Sequence, residues 1–179
     1  MKEAIIKTLD NNYDRPSFIL YKDYTNHNSI IVYKEVEEKK YFIHIDSLGN
    51  KGKAFNNITD EITEILKESE HRDHTYFIVG NEKTQRQKDL DTCSIFVYKD
   101  LKEILKNLEL IDEIINSAKA NMPESTLLAV SESNEGYITF SKLPVVFQKM
   151  TQFTDYETLN QSLNESTTLT IRVKLRNFG

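Results

Sequence analysis

The chain has no tryptophan and little cysteine, proline or glycine: one Cys, three Pro and five Gly in 179 residues. A single cysteine forms no internal disulfide, so nothing in the sequence asks for an oxidising compartment. There is no repeat, low-complexity tract or long linker. No apolar run approaches the roughly 20 residues that a membrane-spanning helix needs. The opening Met1-Lys2-Glu3-Ala4-Ile5-Ile6 lacks the apolar core of a signal peptide. Excess positive charge is also missing. The net charge is −5 and the pI about 5.5, which gives no case for nucleic-acid binding. What remains is 39% hydrophobic and 28% charged, the balance of a globular domain that works in a cytosol.

Hydrophobic periodicity predicts an α/β (α+β) fold: a small, mostly antiparallel sheet packed by helices, with the cysteine on a helix. A short helix over residues 2–10, with Ala4, Ile5 and Leu9 on one side, precedes strands at 17–21, 29–34 and 41–46. The charged stretch 35–40 reads as a hairpin loop. An amphipathic helix at 58–68, capped by Thr59 or Asp60, leads to a buried strand at 75–79. After a polar loop at 82–91, a helix at 92–107 presents Ile95, Phe96, Leu101, Ile104 and Leu105, and a second helix covers 108–120. Short strand-like pieces at 127–130 and 137–140, a helix at 155–163 and a strand at 169–175 complete the reading. The whole is one catalytic domain, 1–179, with its core at about 17–120 and a C-terminal motif region at about 140–179.

The chemistry gathers around Cys93. A thiol is a good nucleophile only as its thiolate, which a neighbouring histidine and a helix N-terminus both favour. Cys93 stands at the predicted start of a helix. His27 begins one strand and Asp46 ends the next, nineteen residues on. In an antiparallel hairpin those two ends are neighbours, so the carboxylate can orient the imidazole. Gln87, six residues before Cys93, offers an amide that, with the Cys93 backbone N–H, can stabilise an oxyanion. His44 shares a strand and a face with Asp46 and stays open as base or substrate-side residue. His71 and His74 flank a polar turn and read as solvated. Each residue alone has a plainer reading, a buried small thiol or a structural histidine. The ordered set on strand, strand, loop and helix is what points to catalysis.

The order His27, Asp46, Gln87, Cys93 resembles the cysteine peptidase clan of the Ulp/SENP and adenovirus proteases, whose papain-like core carries its nucleophile at a helix N-terminus. The segments Asn26-His27-Asn28-Ser29-Ile30-Ile31-Val32-Tyr33 and Tyr41-Phe42-Ile43-His44-Ile45-Asp46-Ser47 are similar to its histidine and aspartate strands. Asn28 stands where those proteases usually have tryptophan, and Ser94 where they have glycine. The YopJ family of bacterial effector acetyltransferases, built on the same core, is resembled more closely. Cys93-Ser94-Ile95-Phe96 is similar to its Cys-x-Ile-Phe helix start. Leu143-Pro144-Val145-Val146-Phe147-Gln148-Lys149-Met150-Thr151-Gln152 is similar to its Leu-Pro-x-x-Phe-x-Lys-His-Thr-Gln motif, with Met150 in place of the histidine.

That resemblance implies a ping-pong transfer of acetyl from acetyl-CoA, through a Cys93 thioester, to Ser, Thr or Lys of a host protein, with His27 activating the acceptor. It implies inositol hexakisphosphate as activator, secretion by a bacterium into the host cytosol, and Lys149 as an autoacetylation site. It points to Lys149, Gln152, Arg172 and Lys174 as cofactor-binding residues; with Lys142 and Arg176, the basic ones among them read equally well as a solvated strand edge protected by charge. Two other readings stand beside it. One is a deubiquitinase or ubiquitin-like-protein protease of the same clan; the other is a non-catalytic binding module on that core. No metal is implied.

Overall fold

The computed structural model describes residues 1–11, 13–23, 25–50, 53–88, 92–123 and 126–152. The helix expected at 155–163, the strand at 169–175, and Arg172, Lys174 and Arg176 lie outside these residues. Five strands form one sheet in sequence order: β1 (Ser17–Lys22), β2 (Asn28–Val36), β3 (Lys39–Ile45), β4 (Thr75–Gly80) and β5 (Ile138–Phe140). The β1–β2 and β2–β3 pairings are antiparallel, as expected. The β3–β4 and β4–β5 pairings are parallel, because a helical crossover separates each pair.

The crossovers lie on opposite faces. Helix α2 (Lys53–Glu68) joins α1 (Lys2–Asp10) over one face, where Ile5, Leu9, Ile58, Ile62 and Leu66 pack on Ile31, Phe42 and Phe77. Helices α3 (Cys93–Lys106) and α4 (Glu109–Ala120) cover the other, where Phe96, Ile104, Ile111 and Ile114 meet Ile30, Val32, Ile43 and Ile78. Both sheet faces are therefore buried, which explains the near-continuous apolar run of β2. Helix α5 (Val145–Gln148) adds Phe147 to the second core.

Several boundaries differ from the sequence reading. The β2–β3 loop is only Glu37 and Glu38, both left-handed at φ 51° and 64°, so the strands run further into the charged stretch than expected. Helix α2 begins before Thr59 and Asp60, so neither caps it; Thr59 is buried on its packing face. Ala4 is exposed, and Thr8 joins Ile5 and Leu9 on the buried face of α1. Residues 127–130 form no strand; Val130 N–H reaches the Thr75 carbonyl at 2.8 Å, and Ala129 and Val130 are buried without a ladder. On α3 the buried face is Cys93, Phe96, Asp100 and Ile104, a spacing of three and four, while Ile95 and Leu105 are exposed.

Candidate active site

Cys93 is the first residue of α3, where the helix N-terminus favours an anion. Its side chain is nearly buried, 3% exposed. Thr92 precedes it as N-cap residue without a side-chain cap bond; its hydroxyl instead accepts a 2.9 Å bond from Gln152 Nε2. Burial pushes the Cys93 thiol up, but hydrogen bonds from the Asn28 side chain and backbone, with the charge and hydrogen bond of His27, outweigh it and leave it below the ordinary thiol range.

His27 is the last residue before β2. Its Nε2–H donates to the Asp46 carboxylate, both oxygens standing 2.8 Å away. With Nε2 committed there, Nδ1 is the ring atom left to face another partner. The β2–β3 register explains the meeting. Extended past Ile30–Ile45, it sets Asp46 opposite Ser29, so His27 and Asp46 share a face as diagonal neighbours. Burial alone would lower the His27 pKa; the Asp46 hydrogen bond and charge, joined by Cys93, raise it above the ordinary value. Raised His27 and lowered Cys93 together favour an imidazolium–thiolate pair.

The His27 backbone is itself pinned. Asp23 Oδ1 accepts from the backbone N–H groups of Thr25 (2.8 Å) and His27 (2.9 Å) and from the Thr25 hydroxyl (2.7 Å). Burial opposes the charged form of Asp23, yet these bonds hold its carboxyl below the usual carboxylate range. Asn26 closes the turn in the left-handed region at φ 65°, a conformation asparagine tolerates. Asp46 is fixed by its own turn, Oδ1 accepting from Leu48 N–H at 2.8 Å.

Gln87 lies on the loop before α3 and is fully buried. Its Oε1 accepts from the Ser47 hydroxyl at 2.5 Å, and its backbone N–H donates to Ser47 O at 2.9 Å. With the oxygen end accepting from Ser47, the other end of the amide is a donor, the type of group that an oxyanion needs.

That loop is clamped by a buried ion pair. Arg86 Nη1 and Nη2 each lie 2.6 Å from an Asp100 carboxylate oxygen, and both side chains are at most 3% exposed. The guanidinium also sits over the rings of Phe96 (5.3 Å) and Phe147 (5.7 Å). The Arg86 carbonyl accepts from Gln152 N–H (2.7 Å) and the Thr151 hydroxyl (3.2 Å), while Gln152 Oε1 accepts from Lys88 N–H (2.6 Å). The segment 143–152 is thus a strap over the nucleophile loop. Phe147 supports Arg86, Met150 is buried in the core, and the Gln152 side-chain amide is engaged at both ends, at Lys88 and Thr92. Lys149 is half-buried in the turn after α5.

The structure therefore brings His27, Asp46, Cys93 and Gln87 to one end of the sheet. Sequence reasoning missed Arg86, Asp100, Asp23 and the Asn28 contact. Asp100 had a signal: it interrupts the apolar stripe between Phe96 and Ile104, and a charge there needs a buried partner.

His44 makes its hydrogen bond elsewhere. It is buried, its Nε2 shares a 2.9 Å hydrogen bond with Ser29 Oγ, and it stands 4.0 Å from Asp46. Burial lowers its pKa to about 4, against the raising effect of Asp46, so it stays neutral where His27 charges. The stability consequences have opposite windows. His27, raised, contributes fully below its unfolded value and loses this as pH rises. His44, lowered, adds nothing above about 6.5 and destabilises the fold as pH falls below that, since the unfolded ring takes the proton first. The urea midpoint should fall between pH 6.5 and 5, and His44→Gln should flatten that slope. An unchanged slope would mean that His44 does not titrate on unfolding there.

A family model described as YopJ Serine/Threonine acetyltransferase matches residues 2–173. No curated protein sequence matches the chain. Among solved structures, HopZ1a in complex with IP6 superposes at a TM-score of 0.58 and 14% identity, covering 94% of this chain and 62% of that one. AvrA delL154 with IP6 and CoA superposes at 0.61 and 17%, covering 96% and 59%. The chain spans about three-fifths of the length of these two structures. At these identities the likeness shows the fold: a mixed sheet between helices, as in this chain.

Proposed function

Because this chain belongs to the YopJ serine/threonine acetyltransferase family, we propose that it moves an acetyl group from acetyl-CoA to a Ser, Thr or Lys side chain of a host protein through a thioester on Cys93. The observation that carries the reading is His27, held by both Asp46 oxygens at 2.8 Å and acting on a Cys93 of lowered pKa at a helix N-terminus. In the first half-reaction the thiolate attacks the acetyl carbonyl. The oxyanion meets Gln87 and the Cys93 backbone N–H, and CoA leaves as its thiol, taking the proton from the His27 imidazolium and returning His27 to the neutral base. In the second half-reaction the acceptor attacks the thioester, its proton passing to His27.

The solved HopZ1a and AvrA structures carry IP6, and the latter CoA as well. On that basis acetyl-CoA is the donor and inositol hexakisphosphate the activator. Lys149 is the described basic residue proposed to face the cofactor or to be autoacetylated. Gln152 acts there by holding the loop at Lys88 and Thr92. The setting is the cytosol of a host cell into which a bacterium delivers the protein.

The test is mass spectrometry of the purified protein after incubation with acetyl-CoA, with and without inositol hexakisphosphate, beside Cys93→Ala. The expected result is a 42 Da adduct that Cys93→Ala abolishes. No adduct under either condition overturns the transferase and turns attention to the protease of the same core, tested with ubiquitin-family electrophilic probes.

A further inference from the structure

We infer that the Asn28 side-chain amide is a catalytic hydrogen-bond donor to the Cys93 sulfur, holding the thiolate before acylation and receiving it again as the leaving group when the acetyl group departs. The inference rests on the Cys93 thioester reading above and names a residue the family pattern does not.

Asn28 is the first residue of β2 and pairs with Lys22 on β1. Strand alternation puts it on the same face as Ile30, beneath α3. Its Nδ2 stands 3.5 Å from Cys93 Sγ, 3.0 Å from Ser94 Oγ and 3.1 Å from the Asn26 carbonyl. A carbonyl only accepts, so the end of the amide that faces this group is the NH2. The Asn28 backbone also helps to hold the cysteine pKa down. Sγ also lies 3.9 Å from the Asn26 carbonyl, which can accept only from the neutral thiol, so the thiolate relies on the Asn28 donor and the α3 N-terminus. The titratable group facing it is His27, with Asp46 behind.

The geometry suits both half-reactions. Before acylation, a donor to sulfur raises the thiolate fraction at neutral pH. In the second half-reaction the acceptor oxygen or nitrogen bonds to the acetyl carbon and its proton goes to His27. The oxyanion then collapses, the carbon–sulfur bond breaks and the electron pair leaves on Sγ, where Asn28 Nδ2–H receives it. A leaving thiolate of lower pKa departs faster.

The experiment follows carboxamidomethylation of Cys93 by iodoacetamide across pH for the wild type, Asn28→Asp and Asn28→Ala, with acetyl transfer measured in parallel. Asn28→Asp keeps the shape but turns the donor into an acceptor. The midpoint of the alkylation profile should rise by about one pH unit, roughly a tenfold slower reaction near neutrality. Asn28→Ala should move the midpoint the same way by less, and should lower acetyl transfer about tenfold through the second half-reaction. If the aspartate variant does not fold, the alanine variant decides. Midpoints unchanged from wild type overturn the inference. Because alkylation needs no acetyl-CoA, variants that show these shifts beside a wild type that takes no acetyl group refute the transferase reading and keep the thiolate contact.

Discussion

Arg86→Ala is expected to destabilise the fold by about 3–5 kcal/mol, because it leaves the Asp100 carboxylate buried without its partner. The pair is 2–3% exposed and bidentate at 2.6 Å, so neither charge recovers hydration when the other is lost. Burial already raises the Asp100 pKa against the opposing pull of Arg86. Without the guanidinium, the effect of burial is no longer opposed by Arg86 and the carboxyl is pushed further up, or the helix shifts to expose it. Lysine should not rescue, since an ammonium cannot span both oxygens and lie over Phe96 and Phe147 at once. The double variant Arg86→Met, Asp100→Leu should recover most of the stability, as apolar replacements of buried pairs generally do. It should still transfer acetyl poorly, because the bidentate tie that fixes the Gln87 loop to the nucleophile helix is gone. Urea midpoints for the singles and the double test this. A loss below about 1 kcal/mol for Arg86→Ala would place the pair with exposed salt bridges and end the argument.

How much of this was readable beforehand differs by kind of interaction. The His27–Asp46 meeting was legible because antiparallel register is local: two adjacent strands and a short turn fix which ends touch. The position of Cys93 was legible because an apolar, helix-like run begins there, and Phe96 and Ile104 of that run are buried as read. The parallel pairings of β4 and β5 were not, since each partner lies across a helical crossover and no periodicity encodes the order. The tie between Arg86 and the 143–152 strap was also hidden, because its contacts join residues some 65 positions apart. The segment was visible as a motif, but its work, holding a loop through Thr151, Gln152 and Phe147, shows only in three dimensions. Ile95 and Leu105 on α3 were assigned to the core because they are apolar; the helix turns them away from β2.

The largest activity effect is expected at the His27–Asp46 pair. His27→Ala removes the base and the charge beside the thiol, and acetyl transfer should fall on the order of 10³-fold or more. Asp46→Asn keeps the volume, yet its amide can present a donor to Nε2, which favours the wrong tautomer and leaves Nδ1 protonated when it must accept. By the precedent of such carboxylate-to-amide changes, the loss is on the order of 10⁴-fold. The pH signature separates this from general damage. Burial pulls the His27 pKa down, and the Asp46 bond and charge are what reverse it. With Asp46 neutralised, burial prevails and the imidazole loses its proton at lower pH. The thiol then loses the His27 charge that helps to lower it, so its alkylation midpoint should rise. His44→Ala should leave that midpoint in place and cost far less activity than His27→Ala, because His44 is neutral and turned toward Ser29. Should His44→Ala silence the protein as fully as His27→Ala while the fold survives, the base has been misassigned; should Asp46→Asn leave the midpoint where it was, the carboxylate is a structural anchor alone.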